Sequence, residues 1–164
     1  MSEVSNYQIR ASVLSADVAA VRQLVHDSGF FNHAECNIAA ELVSEYLQKG
    51  LSSGYQFFFL ETDKQLLAYS CYGAIDGTQS SYDLYWIVVA PDKQGQGLGQ
   101  QLLQQTEQAI LVAGGQRIYI ETSSRAQYQP TRQFYKKAGY LQVASLTDFY
   151  ARGDDKVIYC KSLV

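Results

Sequence analysis

A chain of 164 residues is long enough for one domain with one substantial core, and 47% hydrophobic against 18% charged residues sets it apart from disordered chains. A net charge of −3 without a basic patch argues against a nucleic-acid partner. No apolar run approaches the roughly 20 residues that span a bilayer, and Met1 to Arg10 lacks the basic-then-apolar pattern of a secretory signal, so the expected setting is the cytoplasm, away from membranes.

Tyr7 to Val13 reads as a first strand. Ser15 is a candidate N-cap for a helix whose apolar residues Val18, Val21, Leu24 and Val25 recur at helical spacing. Gly29 to His33 reads as a loop with exposed aromatics at Phe30-Phe31, which would suit a monomer's lid or a homodimer contact equally. A second helix follows, with Ile38, Ala39, Leu42, Val43, Tyr46 and Leu47 on its inner face and Gly50 as its stop. Strands are predicted at Tyr55 to Glu61, Leu66 to Ile75 and Tyr82 to Val89, a meander turning at Asp63-Lys64 and Asp76-Gly77.

After Ala90-Pro91 comes Gln94-Gly95-Gln96-Gly97-Leu98-Gly99, opening a helix that carries Leu98, Leu102, Leu103, Ala109 and Ile110 inward and ends at Gly114-Gly115. A glycine-rich turn at a helix start exposes backbone N–H groups where the helix dipole is positive, which suits a phosphate; glycines also simply turn strands into helices. Arg117 to Thr122 is predicted to run parallel to the strand before that helix, through a βαβ crossover. Pro130 suits the first turn of a short helix over Thr131 to Ala138, closed by Gly139. Tyr140 to Ser145 and Val157 to Lys161 read as final strands joined by a loop over Thr147 to Lys156. The order β-α-α-β-β-β-α-β-α-β-β specifies a single α/β domain over 1–164, a mixed, mostly antiparallel sheet flanked by helices. Thirteen tyrosines against two prolines favour packed strands over loops. Cys36, Cys71 and Cys160 are isolated and odd in number, and read as reduced thiols with no metal site.

Two motifs carry a family resemblance. Ile87-Val88-Val89-Ala90-Pro91 followed by Gln94 to Gly99, and Phe134-Tyr135-Lys136-Lys137-Ala138-Gly139-Tyr140, together resemble the signatures of the GCN5-related N-acetyltransferases (GNAT). The resemblance implies a GNAT-like fold and acetyl-CoA as co-substrate. Main-chain groups of Ile87, Val88 and Val89 would meet the pantetheine arm, and Gln94, Gly95, Gln96, Gly97, Leu98 and Gly99 would hold the pyrophosphate. Tyr135 would be the general acid at the thiolate. Where many members carry a cofactor-contacting Asn this chain has Tyr128, whose hydroxyl, or that of Ser124, is a candidate substitute. For the general base two carboxylates stand open: Asp83, otherwise a surface carboxylate near a hairpin end, and Glu121 on the next strand. No cysteine lies in either motif, which favours direct transfer in a ternary complex. The acceptor implied is a primary amine, small or amino-acid-like; the alternatives are a protein or peptide amine, or an acyl-CoA sensor without turnover. The charged, aromatic stretch Asp148 to Lys156 is a candidate acceptor-contacting segment.

Overall fold

The computed structural model describes residues 6–63 and 65–164; residues 1–5, and Lys64 of the turn expected at Asp63-Lys64, lie outside them. In chain order the elements are β1 (Gln8–Arg10), α1 (Asp17–Asp27), α2 (His33–Lys49), β2 (Gln56–Glu61), β3 (Leu66–Ala74), β4 (Ser81–Val89), α3 (Leu98–Val112), β5 (Arg117–Ser123), α4 (Gln129–Lys137), β6 (Leu141–Ala151) and β7 (Asp154–Ser162). This is the order read from the sequence. The strands form one seven-stranded mixed sheet in the order β1-β2-β3-β4-β5-β7-β6. β4 and β5 are parallel, whereas β1–β2, β2–β3, β5–β7 and β6–β7 are antiparallel. Two compact units divide the chain: one holds residues up to Gly73 with Trp86–Gln108, the other Ala74–Tyr85 with Ala109–Val164.

In the first unit both faces of β2 and β3 are covered, which is why Phe57-Phe58-Phe59-Leu60 is an unbroken apolar run rather than an alternating one. Phe57, Phe59, Tyr69 and Cys71 join Val21, Val25, Ala39 and Val43 in one core. Phe58, Leu60, Ala68 and Ser70 occupy the opposite face. There a buried hydroxyl pair links sheet to helix: Ser70 Oγ lies 2.8 Å from Thr106 Oγ1 of α3, which also donates to the Leu102 carbonyl at 2.8 Å.

Three local expectations are corrected in this unit. Ser15 does not cap α1; the cap position is Ala16, and the Asp17 carboxylate instead accepts from the Leu14 N–H at 2.7 Å and from the Arg10 guanidinium. Arg10 also reaches Glu61, so a charged network displaces the simpler hydroxyl cap. Ile38 and Leu47 lie outside, because α2 buries the narrower stripe Cys36, Ala39, Ala40 and Val43. Phe31 is no exposed loop aromatic: its ring packs edge-on against Trp86, centroids 4.9 Å apart, just ahead of an Asn32–Glu35 capping box that starts α2.

In the second unit the parallel register Ser81↔Arg117, Tyr82↔Ile118, Asp83↔Tyr119 meets the crossover expectation. Helix α3 ends in a Schellman arrangement, with Gly114 N–H bonded to the Leu111 carbonyl (3.0 Å) and Gly115 N–H to that of Ile110 (2.8 Å). The largest departure is the expected loop over Thr147 to Lys156, most of which is strand. β6 and β7 form a long hairpin that turns at Arg152-Gly153. A register shift between Leu146 and Ala151 accommodates Asp148 at φ +55°. Its carboxylate accepts from Gly153 N–H at 2.7 Å and its own N–H donates to Asp155 at 2.9 Å. Such side-chain-to-backbone bonds let a charged, loop-like sequence complete a strand pair.

Candidate active site

The turn between β4 and α3 is built by backbone conformation. Pro91–Lys93 forms one 3-10 turn, Gln94 is extended, and Gly95 and Gly97 take φ of +76° and +81° before Leu98 opens α3. No atom lies within 4 Å of where a Cβ at Gly97 would stand, so glycine supplies the left-handed angle and leaves the approach to the turn open. The first-turn amides of α3 point out of the helix start, the arrangement that accepts a phosphate. The Gln94 and Gln96 side chains reach back to the Val89 and Asp92 carbonyls, both at 3.4 Å, and brace the turn. Ile87 and Val89 are half-buried and Val88 is buried. The residues therefore fit a pyrophosphate.

In the second unit, register places the candidate bases. Asp83 pairs with Tyr119, so Asp83, Tyr119 and Glu121 share one face of the sheet. β5 pairs Glu121 with Ile158 and Ser123 with Lys156, which adds Lys156 to that face. Lys156 Nζ lies 2.8 Å from Glu121 Oε2 and 4.0 Å from the Phe149 ring centroid. Asp83 is half-buried and forms no ion pair among the described residues. Burial first, and the Glu121 charge second, raise its carboxyl above the ordinary pKa, against a lowering by Lys156. The parallel register ends at Asp83: Leu84 and Tyr85 have no β5 partner among the described residues, while β5 continues to Ser123 against β7.

Tyr135 stands on the other face. It is buried, its ring 5.9 Å from that of Tyr140 and 6.2 Å from that of Tyr159, which pairs with Ile120. Burial pushes its phenol above the usual value, so it stays protonated and able to donate. The two carboxylates are thus brought together, and Tyr135 is kept apart from them by the thickness of the sheet. Tyr128 is the residue before α4, half-buried, with the Arg125 guanidinium 5.6 Å from its ring centroid. The Ser124 hydroxyl is engaged, accepting from the Asp155 N–H at 2.8 Å. Exposed Phe149 and Tyr150 flank the carboxylate face from β6, their rings edge-to-face at 5.1 Å. His26 and His33 are exposed, on α1 and at the start of α2.

Sequence reasoning included Lys156 in the charged stretch Asp148 to Lys156 but did not single it out, nor buried Asp154, which accepts from the Ser123 hydroxyl and pairs with Arg125 at 3.2 Å. The available signal was alternation within Asp154–Ser162, where Val157, Tyr159 and the residues between them point to opposite faces. Among the described residues no three His, Cys, Asp or Glu side chains converge as a metal site would need. No helix among them is long and apolar enough to cross a membrane.

A strand that turns through left-handed glycines into a helix, within a mixed sheet flanked by helices, gives the chain an α/β architecture. The family model described as Acetyltransferase (GNAT) domain matches residues 53–142, and the chain belongs to the GNAT family of N-acetyltransferases. It is similar to a GNAT-family protein of Desulfovibrio desulfuricans, with 42% identity, TM-score 0.95, and 96% of this chain and 99% of that one covered. The fold is shared with the ribosomal-protein-S18-alanine N-acetyltransferase of Escherichia coli (21% identity, TM-score 0.75, 96% and 94% covered). It is also shared with yncA of Salmonella typhimurium, solved with its cofactor acetyl-CoA (19% identity, TM-score 0.75, 96% and 94% covered). Among curated protein sequences none matches the chain.

Proposed function

We propose that the chain, acting as one domain over 1–164, transfers an acetyl group from acetyl-CoA to a small primary amine by direct attack in a ternary complex. The observation that carries this reading is the turn at Gly95 and Gly97, whose positive φ angles and empty Cβ positions leave the start of α3 open to an anion. Amides of Gly95 to Gly99 hold the pyrophosphate, and main-chain groups of Ile87, Val88 and Val89 hold the pantetheine arm. Acetyl-CoA supplies an activated acetyl thioester; that yncA is solved with acetyl-CoA on the same fold is in keeping with this. Asp83 accepts the proton of the acceptor's ammonium, directly or through water, and Tyr135 donates from the opposite face where the β4–β5 pairing has ended. Tyr128 adds a polar contact to the cofactor.

Direct transfer is supported by the cysteines. All three are buried, and burial raises the Cys71 thiol well above its ordinary pKa, away from nucleophilic use. Three free thiols also suit a reducing compartment, and we place the reaction in the cytoplasm. A small cationic acceptor is supported by half-buried Asp83, which forms no ion pair among the described residues, since a carboxylate attracts an ammonium.

The test is mass-spectrometric detection of acetyl transfer into a mixture of aliphatic amines, amino acids, amino sugars and peptides, with acetyl-CoA binding followed by calorimetry. A small-amine product supports the reading; transfer only to peptides replaces the acceptor class, and binding without turnover indicates a sensor. Two variants locate the roles. Gly97→Ala forces a side chain into the left-handed region and is expected to raise the KM for acetyl-CoA roughly fivefold or more, about 1 kcal/mol of strain, with kcat little changed. Tyr135→Phe keeps the packing and removes the hydroxyl; kcat is expected to fall by about 10²-fold while the melting temperature holds. An unchanged kcat would remove Tyr135 from the chemistry.

A further inference from the structure

Lys156 is left over by the chemistry above, yet its setting is unusual for a lysine. Its side chain is 15% exposed while that of its partner Glu121 is 49% exposed, so the cation is drawn inward against the Phe149 ring. A lysine usually extends its ammonium into water, and holding one here sets its position on the Asp83 face. The Glu121 charge on the same sheet face raises the Asp83 carboxyl, and a cation held between strands offsets it. We propose that Lys156 is a positioning residue for acetyl transfer: it occupies Glu121 in an ion pair and leaves Asp83 as the unpaired carboxylate that receives the acceptor's proton. This rests on the reading of Asp83 as the base.

Among the described residues, the titratable groups that alternation and register place on the Asp83 face are Tyr85 on β4, Tyr119 and Glu121 on β5, and Lys156 and Cys160 on β7. Tyr150 on β6 is linked to that face through Glu121, and its phenol is raised by burial and by Glu121, Asp154 and Tyr128. Asp154 is itself paired with Arg125. Of these, Glu121 and Lys156 act on Asp83 with opposite signs. Lys156→Met, which keeps the aliphatic stem, therefore shifts the titration of Asp83 upward. Glu121→Gln shifts it downward, and Lys156→Arg restores the native value.

The experiment is carbon-13 NMR titration of aspartate-labelled full-length protein, with Asp83→Asn assigning the Asp83 signal. Alongside it runs the pH profile of coenzyme A release with acetyl-CoA and the amine mixture described above. An upward shift in Lys156→Met in both measurements, rescued by Lys156→Arg, is the result expected. If Lys156→Met leaves both titrations within about 0.2 unit of wild type while Asp83→Asn is inactive, the role of Lys156 is overturned and the base reading stands. If Asp83→Asn retains wild-type activity, the base reading falls and the role of Lys156 with it. A merely structural lysine would lower the melting temperature without moving either titration, which also overturns the proposal.

Discussion

Asp83→Asn is expected to lower kcat/KM for acetyl transfer by about 10²–10⁴-fold and to leave the melting temperature at neutral pH unchanged or higher. The two effects separate because of the sign of the Asp83 shift. Its folded-state pKa is raised, chiefly by burial and next by Glu121. A raised carboxyl favours the folded state fully below the unfolded pKa and loses that advantage as pH rises through the folded value. Once ionised, Asp83 therefore burdens the native state, and asparagine lifts that burden while removing the base. The same shift moves the acid limb of activity upward from where an ordinary aspartate would put it, with activity falling as pH drops through it. Steady-state kinetics and scanning calorimetry on one preparation read both effects. Full activity in the variant would move the base to Glu121.

Gly115→Ala is expected to be strongly destabilising. A Cβ there would stand 2.3 Å from Ile110 Cγ2 and 2.8 Å from the Tyr82 ring, closer than atoms pack. Ile110 is fully buried and has no room to withdraw, and the Tyr82 backbone is held in the parallel register with Ile118. Overpacking of this kind costs about 2–3 kcal/mol, which lowers the melting temperature by roughly 5–10 °C in a domain of this size. Gly114→Ala is the control: its neighbour space is empty and only the φ of +92° is strained, costing about 1 kcal/mol. Equal melting temperatures for the two variants would mean that Ile110 or the Tyr82 ring yields.

Features set by local backbone demand were legible in the sequence. Gly97 must take a left-handed angle where a strand turns into a helix, and it does. The periodic apolar residues of α3 are buried as read at Leu98, Leu102, Leu103 and Ile110. Features set by pairing were not legible. That Asp83 and Glu121 share a face depends on the Asp83↔Tyr119 register between segments far apart in the chain, and single-strand alternation does not specify a partner. The second half of β6 escaped because its residues are exposed on nearly every position, Phe149 and Tyr150 included, and so carry no alternation. Its Asp148 and the Arg152-Gly153 turn look like loop chemistry and serve a hairpin. Lys156 was not singled out, since only a paired β7 gives that lysine a face.

The buried hydroxyl pair between Ser70 and Thr106 has a consequence for aim rather than for strength. A helix packed by leucines alone can roll about its axis by a few degrees at little energetic cost, because apolar contacts are not directional. Thr106 is bonded both to Ser70 across the interface and to the Leu102 carbonyl within α3, so the helix has one rotational setting at that point. Leu98 lies eight residues earlier, about 12 Å along the axis, and inherits that setting. The direction in which the first-turn amides point is therefore decided in the dry interior, two turns from the surface where a phosphate would meet them.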